Sequence, residues 1–403
     1  MYLCLFHSYS FGYFQVSADG YWPKPNTTDW DIPLCSRPFL PCSLTIKGAG
    51  GTLHRLAEGR IICEAGAGCS VVTLQDVSVT CVGNFVAPEG LLQLSGAGSS
   101  LRMTKSTIKG CASIADGGSI RAFNGAVVKL SKVTITRSYS HGNGGAVAVV
   151  GAKATVYESF FMDCTAAGSG GAVWVSPSQQ SYPRPPLDAF FHLSQCTLQN
   201  NSAADSGGAL AISESKGAVE RSIFTGNVAK SGGAIAVTKQ SSALVQDSRL
   251  YTNKALGLGG GAISVSASAL ELFSNSIAGN EAAKGGGGAL LWDGDTAPIV
   301  RMDCGLGLFA DPVNALGRSY CVPCAPGFFK ESLTAAQCTA CGAGTYSNVT
   351  ASSPGALPVP ATLDTMEMWS RGALIACRAH RDSSKKASHR RNARHAVGAH
   401  TVT

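Results

Sequence analysis

The four cysteines at 321, 324, 338 and 341 are the residues in this chain most suited to chemistry. Cys-x2-Cys, thirteen residues, then Cys-x2-Cys is spacing at which four thiolates can close a tetrahedral zinc site. In an oxidising compartment the same four residues would close disulfides instead, with three pairings open. Fifteen cysteines in all exceed ordinary usage in a reduced cytosol and favour the second reading. Two other groups have chemistry of their own. Asn26, Asn200 and Asn348 head Asn-x-Ser/Thr triplets, which accept glycans on secreted chains. Trp174 precedes a polar, Pro-rich stretch at 176–186 that contains Tyr182 and Arg184, where two rings could stack on a sugar and a guanidinium bond its oxygens.

Catalytic candidates are weaker. Glycoside hydrolysis needs two carboxyl groups astride one bond. Lyase chemistry on acidic glycans needs a calcium-binding group of carboxylates and a nearby base. Lys132, Glu158, Arg221 and Asp247 recur at one position of successive sequence units, with Gln195 and Asn275 filling it elsewhere. Mixed in sign and regularly spaced, they predict a solvated ladder. His141 and Asp163 each stand alone at expected corners, and no Ser/His/Asp or Cys/His set has a catalytic context. The chain is therefore expected not to be an enzyme, and no cofactor or metal is assigned. A polysaccharide lyase or glycoside hydrolase is the alternative.

The elements that must hold these residues follow from composition and repeats. The chain has 403 residues, 48 of them Gly, and only 14% are charged. Helices are disfavoured, because Gly costs about 1 kcal/mol per helix position relative to Ala. No stretch reaches the roughly 18 apolar residues of a membrane-spanning helix. Of the net charge of +7, the segment 367–403 carries eight cations against two acids, so the body is expected to be nearly neutral and not to bind nucleic acid. The opening Met1-to-Phe14 segment has no leading Lys or Arg, so no conventional signal peptide is read there. Compartment then rests on the cysteines, and membrane association would come only through a segment outside this chain.

A Gly-Gly-small-aliphatic unit recurs at Gly117, Gly144, Gly170, Gly207, Gly232, Gly260 and Gly287, at spacings of 27, 26, 37, 25, 28 and 27. The one long interval contains 176–186. Five to seven residues before each pair sits a second unit, as in Phe224-Thr225-Gly226-Asn227 and Leu250-Tyr251-Thr252-Asn253. It ends in Cys at Cys111 and Cys164 and in Ser at Ser138. After each Gly pair apolar residues alternate with period two, as in a strand. Val147/Val149, Val173/Val175, Leu210/Ile212 and Ile235/Val237 are expected to face inward; Ala148, Trp174, Ala211, Ala236, Ser264 and Leu291 would face outward. Asn at the far corner is expected to take left-handed φ/ψ and to ladder with its stacked copies. Three short strands per period predict a parallel β-helix over 43–300. That is roughly ten coils and a rod on the order of 50 Å at the usual strand spacing.

These paired units resemble the repeats of the polymorphic outer membrane proteins, over about residues 104–293; Phe224-Thr225-Gly226-Asn227 with Gly232-Gly233-Ala234-Ile235 matches both parts. The resemblance implies an all-β fold, a right-handed parallel β-helix solenoid, and an adhesion-type role at a cell surface. The barrel that carries such passengers in bacteria has no counterpart after residue 300. Cys324-Ala325-Pro326-Gly327-Phe328-Phe329 and Gly344-Thr345-Tyr346-Ser347 are similar to the ephrin-receptor-like cysteine-rich repeat. That likeness implies that Cys321, Cys324, Cys338 and Cys341 are structural disulfide cysteines in an extracellular module. The expected organisation is an N-terminal cap or incomplete leader at 1–42, the β-helix at 43–300, the cysteine module at 301–348 and a disordered basic tail at 349–403. The expected function is an extracellular or cell-surface scaffold for glycans or surface proteins.

Overall fold

The computed structural model describes residues 90–178, 187–257, 259–283 and 287–293 continuously, with strand segments between 11 and 82 and between 299 and 379. The chain winds as a parallel solenoid with four strands in each regular coil. In the coil that begins at Gly207 these are Leu210–Ser213, Lys216–Glu220, Ile223–Thr225 and Val228–Ala229, here the first to fourth faces. The fourth, only two residues long, is one more strand than the sequence pattern predicts. It occupies the stretch between the Asn corner and the next Gly pair, and its copies form a seven-stranded sheet.

Between 100 and 282 the stacks of consecutive coils are parallel and in register; shifts fall outside the regular coils, at Cys42/Ser43 and where Phe273 and Asn275 meet the strand at 299–302. On the first face Leu210 pairs with Ile235 and Ile235 with Ile263; on the second Val219 pairs with Val245. Like residues therefore fall on like, and the inward rows become continuous apolar columns. Phe161, Phe191 and Phe224 are fully buried, as are Leu210, Ile235 and Ile263. The 37-residue interval does not disturb the register, because Ser178 and Leu187, on either side of 179–186, are bonded to each other. Ser178 N donates to Leu187 O at 3.0 Å, and Leu187 N to Ser178 Oγ at 2.9 Å.

The stacks extend on both sides of the regular coils. Cys42–Gly48 and Cys69–Gln75 join the second face, and Leu92–Ser95 joins the first. Strands at Phe11–Val16, Gly20–Trp22 and Asp31–Pro33 also pair in parallel with the next coil, so residues before 43 contribute a coil where a cap is expected. At the other end, Arg318–Pro323 pairs antiparallel with Leu290–Asp293, Ser319 opposite Leu290. An antiparallel strand ends the parallel series and covers an edge that would otherwise invite pairing. Accordingly 310–321 belongs with the solenoid, while 305–309 and 322–403 form a second unit.

The corners differ from expectation in an instructive way. The ladder residues Asn201, Asn227 and Asn253 are not left-handed. The residues immediately before them are: Asn200, Gly226 and Thr252 have φ of 54°, 66° and 51°. Likewise Ser274, not Asn275, holds the left-handed position of the Lys132 column, at φ 52°. Each corner thus uses one residue to turn and the next to point its polar side chain inward, where it bonds the adjacent coil.

Candidate functional site

Three regions were candidates from sequence: the first-face surface with its insertion, the cysteine module and the sequons. Trp174 lies half-buried in Val173–Ser176, between Ala148 and Ala211 in the ladder. Tyr182 and Arg184 lie outside the described residues, so Trp174 alone of that trio is placed.

The rest of the Trp174 row is not the open surface its alternation suggests. Ala148 and Ala236 are 0% exposed, Ala211 4% and Ser264 8%. The Gly-pair corners fold over this row. A Cβ on Gly117 would sit 3.2 Å from the Ala148 methyl, and the Ser231 hydroxyl bonds that of Ser264 at 2.8 Å. Period-two alternation reports strand geometry; it does not report that a loop returns over the outer side, and small residues are what such a double cover needs. His141 is an exposed corner residue, its ring edge-on to Tyr139 at 4.9 Å.

In the cysteine module Cys324 and Cys338 are joined, fourteen residues apart. Phe328–Phe329 pairs antiparallel with Thr339–Ala340 beside them. The side chains of Cys321 and Cys341 lie outside the described residues. A second disulfide, Cys81–Cys111, links adjacent coils of the solenoid, and Cys63 is also disulfide-bonded. Cys164 and Cys196 are free and buried, and loss of solvation pushes both thiols up to about 12. Among the described residues no group of His, Cys, Asp and Glu is placed to hold a metal ion. Of the sequons, Asn200 is exposed at a left-handed corner, whereas Asn26 and Asn348 lie outside the described residues.

The most functional-looking surface lies on the opposite side, where the second face turns into the third. A pocket of about 350 Å³ is lined by Lys132, Thr134, Glu158, Phe160 and Gln195. Lys132 Nζ and Glu158 Oε2 are 3.2 Å apart across adjacent coils. The Tyr157 hydroxyl, and after it the Lys132 ammonium, hold the Glu158 carboxyl below its ordinary range. Tyr157 and Phe160 bracket this pair with rings 39% and 47% exposed. A flat ring beside a cation, a carboxylate and an amide can stack on a sugar face while bonding its hydroxyls. The charged column is legible in the sequence; the aromatic platform is legible only through register. Phe161 occupies the inward position of its repeat and is 0% exposed, which turns Phe160 outward.

Comparison with known proteins agrees with both halves of the chain. Residues 90–303, just over half its length, match the family model for the right handed beta helix region. Residues 313–355 match the tyrosine-protein kinase ephrin type A/B receptor-like model. No curated protein and no solved structure matches the chain.

Proposed function

Because the chain belongs to the right-handed β-helix family, we propose that it is a non-enzymatic extracellular scaffold that presents a rigid surface to glycans or surface proteins. The joining of a β-helix to an ephrin-receptor-like cysteine module is the observation that carries this reading, since that combination marks an extracellular-type protein. The Cys324–Cys338 and Cys81–Cys111 bonds support it, because disulfides persist where the surroundings are oxidising. Rigidity follows from the ladders: coil bonds to coil through backbone and side chain alike, so a ligand meets a surface already ordered. Weak contacts repeated at fixed spacing then sum along it without a new ordering cost.

The covered first-face row also supports a scaffold over a cleaving enzyme. Ala148, Ala211, Ala236 and Ser264 are covered and carry no ionisable group, so these positions offer a substrate neither acid nor base. The deciding experiment incubates the secreted protein with a panel of neutral and acidic polysaccharides. Retention of polysaccharide with no new reducing or unsaturated ends is expected; stoichiometric excess of new ends, lost on boiling, would replace the scaffold with the lyase or hydrolase alternative.

A further inference from the structure

Positive charge collects on one side of three successive coils. In the second- and third-face segments at 100–110, 127–137 and 153–163 there are seven Lys or Arg against two acids, Glu158 and Asp163. All seven cations are exposed. The same segments in later coils, at 190–200, 216–226, 242–252 and 269–279, hold Lys216, Arg221 and Arg249 against Glu220, Asp247 and Glu271, which balance. The expectation of a nearly neutral body holds for the total and fails for the distribution.

Register makes the accumulation sharper than composition does. Arg102 lies directly beside Lys129 in the parallel ladder. Lys105 and Lys132 occupy the same left-handed corner, at φ 46° and 56°. Adjacent strands are about 4.8 Å apart, and like charges placed opposite one another are unfavourable. Among the described residues Lys132 alone of the seven has an ion-pair partner. The three coils therefore present columns of like charge that a bound polyanion would neutralise.

We propose that this side of the solenoid binds an acidic polysaccharide, one with carboxylate or sulfate groups on successive sugars, running across the three coils. The columns of cations would meet the anionic groups, and the pocket at Lys132, Glu158, Phe160 and Gln195 would seat a sugar ring at the margin. That pocket suits a polysaccharide, whose rings carry hydroxyls along their whole length. Its carboxylate accepts bonds from hydroxyls and its amide both gives and accepts them, beside a ring that can stack on a sugar face. Among the described residues the surface is also a ribbed sheet, with no helix or hairpin projecting to enter a groove. This assignment deepens the scaffold reading and rests on it.

The test is electrophoretic retardation of the full-length protein in gels containing alginate, dextran sulfate or neutral dextran, across a salt series. Wild type should be retarded by the two acidic polymers, less so as salt rises. Arg102→Gln/Lys105→Gln/Lys129→Gln, all exposed positions, should weaken this on the order of tenfold and flatten the salt dependence, because each lost cation releases fewer counterions. Lys216→Gln/Arg249→Gln, on the balanced coils, should leave it unchanged. Phe160→Ala should weaken alginate binding but not binding of inorganic polyphosphate, which has no ring to stack. Equal retardation of the triple variant and wild type overturns the proposal, as does tighter binding of single-stranded DNA than of either acidic glycan. Retardation by neutral dextran without either acidic polymer overturns it too, yet leaves the scaffold reading standing. Retardation by none of the three overturns it and removes the glycan half of the scaffold reading.

Discussion

Asn227 shows how much one side chain does in a repeated corner. Its Oδ1 accepts from Asn201 N at 3.0 Å and from Asn201 Nδ2 at 3.0 Å. Its Nδ2 donates to Leu198 O at 2.9 Å and to Asn253 Oδ1 at 2.9 Å. The residue is fully buried, so Asn227→Ala would strand the Asn201 N–H without water to replace it, while the Leu198 carbonyl would keep its bond in the strand ladder. A loss of about 2 kcal/mol is expected, read as a shift in urea midpoint at unchanged slope. A midpoint within error of wild type would mean that the coils are not held by this ladder. The existence of the ladder was legible from the recurring Asn, but its geometry was not, since sequence cannot say which of two adjacent residues turns and which points in.

The column continues through Cys164, whose N–H donates to Asn201 Oδ1 at 3.0 Å. A small side chain suffices there, because the backbone still finds its partner in the next coil. With the Cys164 and Cys196 thiols pushed up to about 12 by burial, the folded state holds protons that the unfolded chain releases near 9. Their contribution to stability is complete below about pH 9 and falls as pH rises toward 12. Both thiols should resist iodoacetamide at pH 8 in the native protein and react fully in guanidinium. Rapid native labelling of either one would contradict the packing around it.

At the scale of the element, the Gly pair is two requirements and not one. Gly207 has φ of 65°, a conformation costly to residues with a Cβ. Gly208 has ordinary φ, but a Cβ there would lie 2.6 Å from Val228 N and would meet the Gly233 carbonyl of the next coil. Gly208→Ala should therefore destabilise by about 2 kcal/mol or more, through overpacking against backbone that has nowhere to move. Thermal melts followed at far-ultraviolet wavelengths would show it; an unchanged melt would show that adjacent coils can part at the corner. Spacing revealed these corners and hence the fold. It could not reveal that they fold back over the first face, because that cover depends on the path of the chain between strands. The same limit explains why the candidate surface moved. Ala148, Ala211, Ala236 and Ser264 read as exposed in one dimension and are covered in three, while Tyr157 and Phe160 become a platform only once neighbouring coils are stacked.

For the whole molecule, the decisive property is that each coil touches only its neighbours. A solenoid of this kind has stability that is roughly the sum of its coils and their interfaces. Residues 228–253 constitute one full period, and Lys254 already pairs with Val228 in the fourth-face ladder. Deleting them would place Lys254 directly after Asn227, at the position Val228 vacates, and would bring Asn280 opposite Asn227. The shortened chain should fold, melt a few degrees lower and keep Cys164 protected. Deleting 228–240 removes only half a period, carries inward residues to the wrong face and should melt far lower than the full-period deletion. The disulfides sharpen the contrast. Cys81–Cys111 closes a separation of 30 residues inside the solenoid, which in the chain-entropy account contributes about 3.5 kcal/mol. Cys81→Ser/Cys111→Ser should thus lower solenoid stability, whereas Cys338→Ser acts in a separate unit and should leave the solenoid transition in place. If the half-coil deletion and the full-coil deletion behaved alike, stacking register would not be what holds this chain together, and the ordered charge columns built on that register would lose their basis as well.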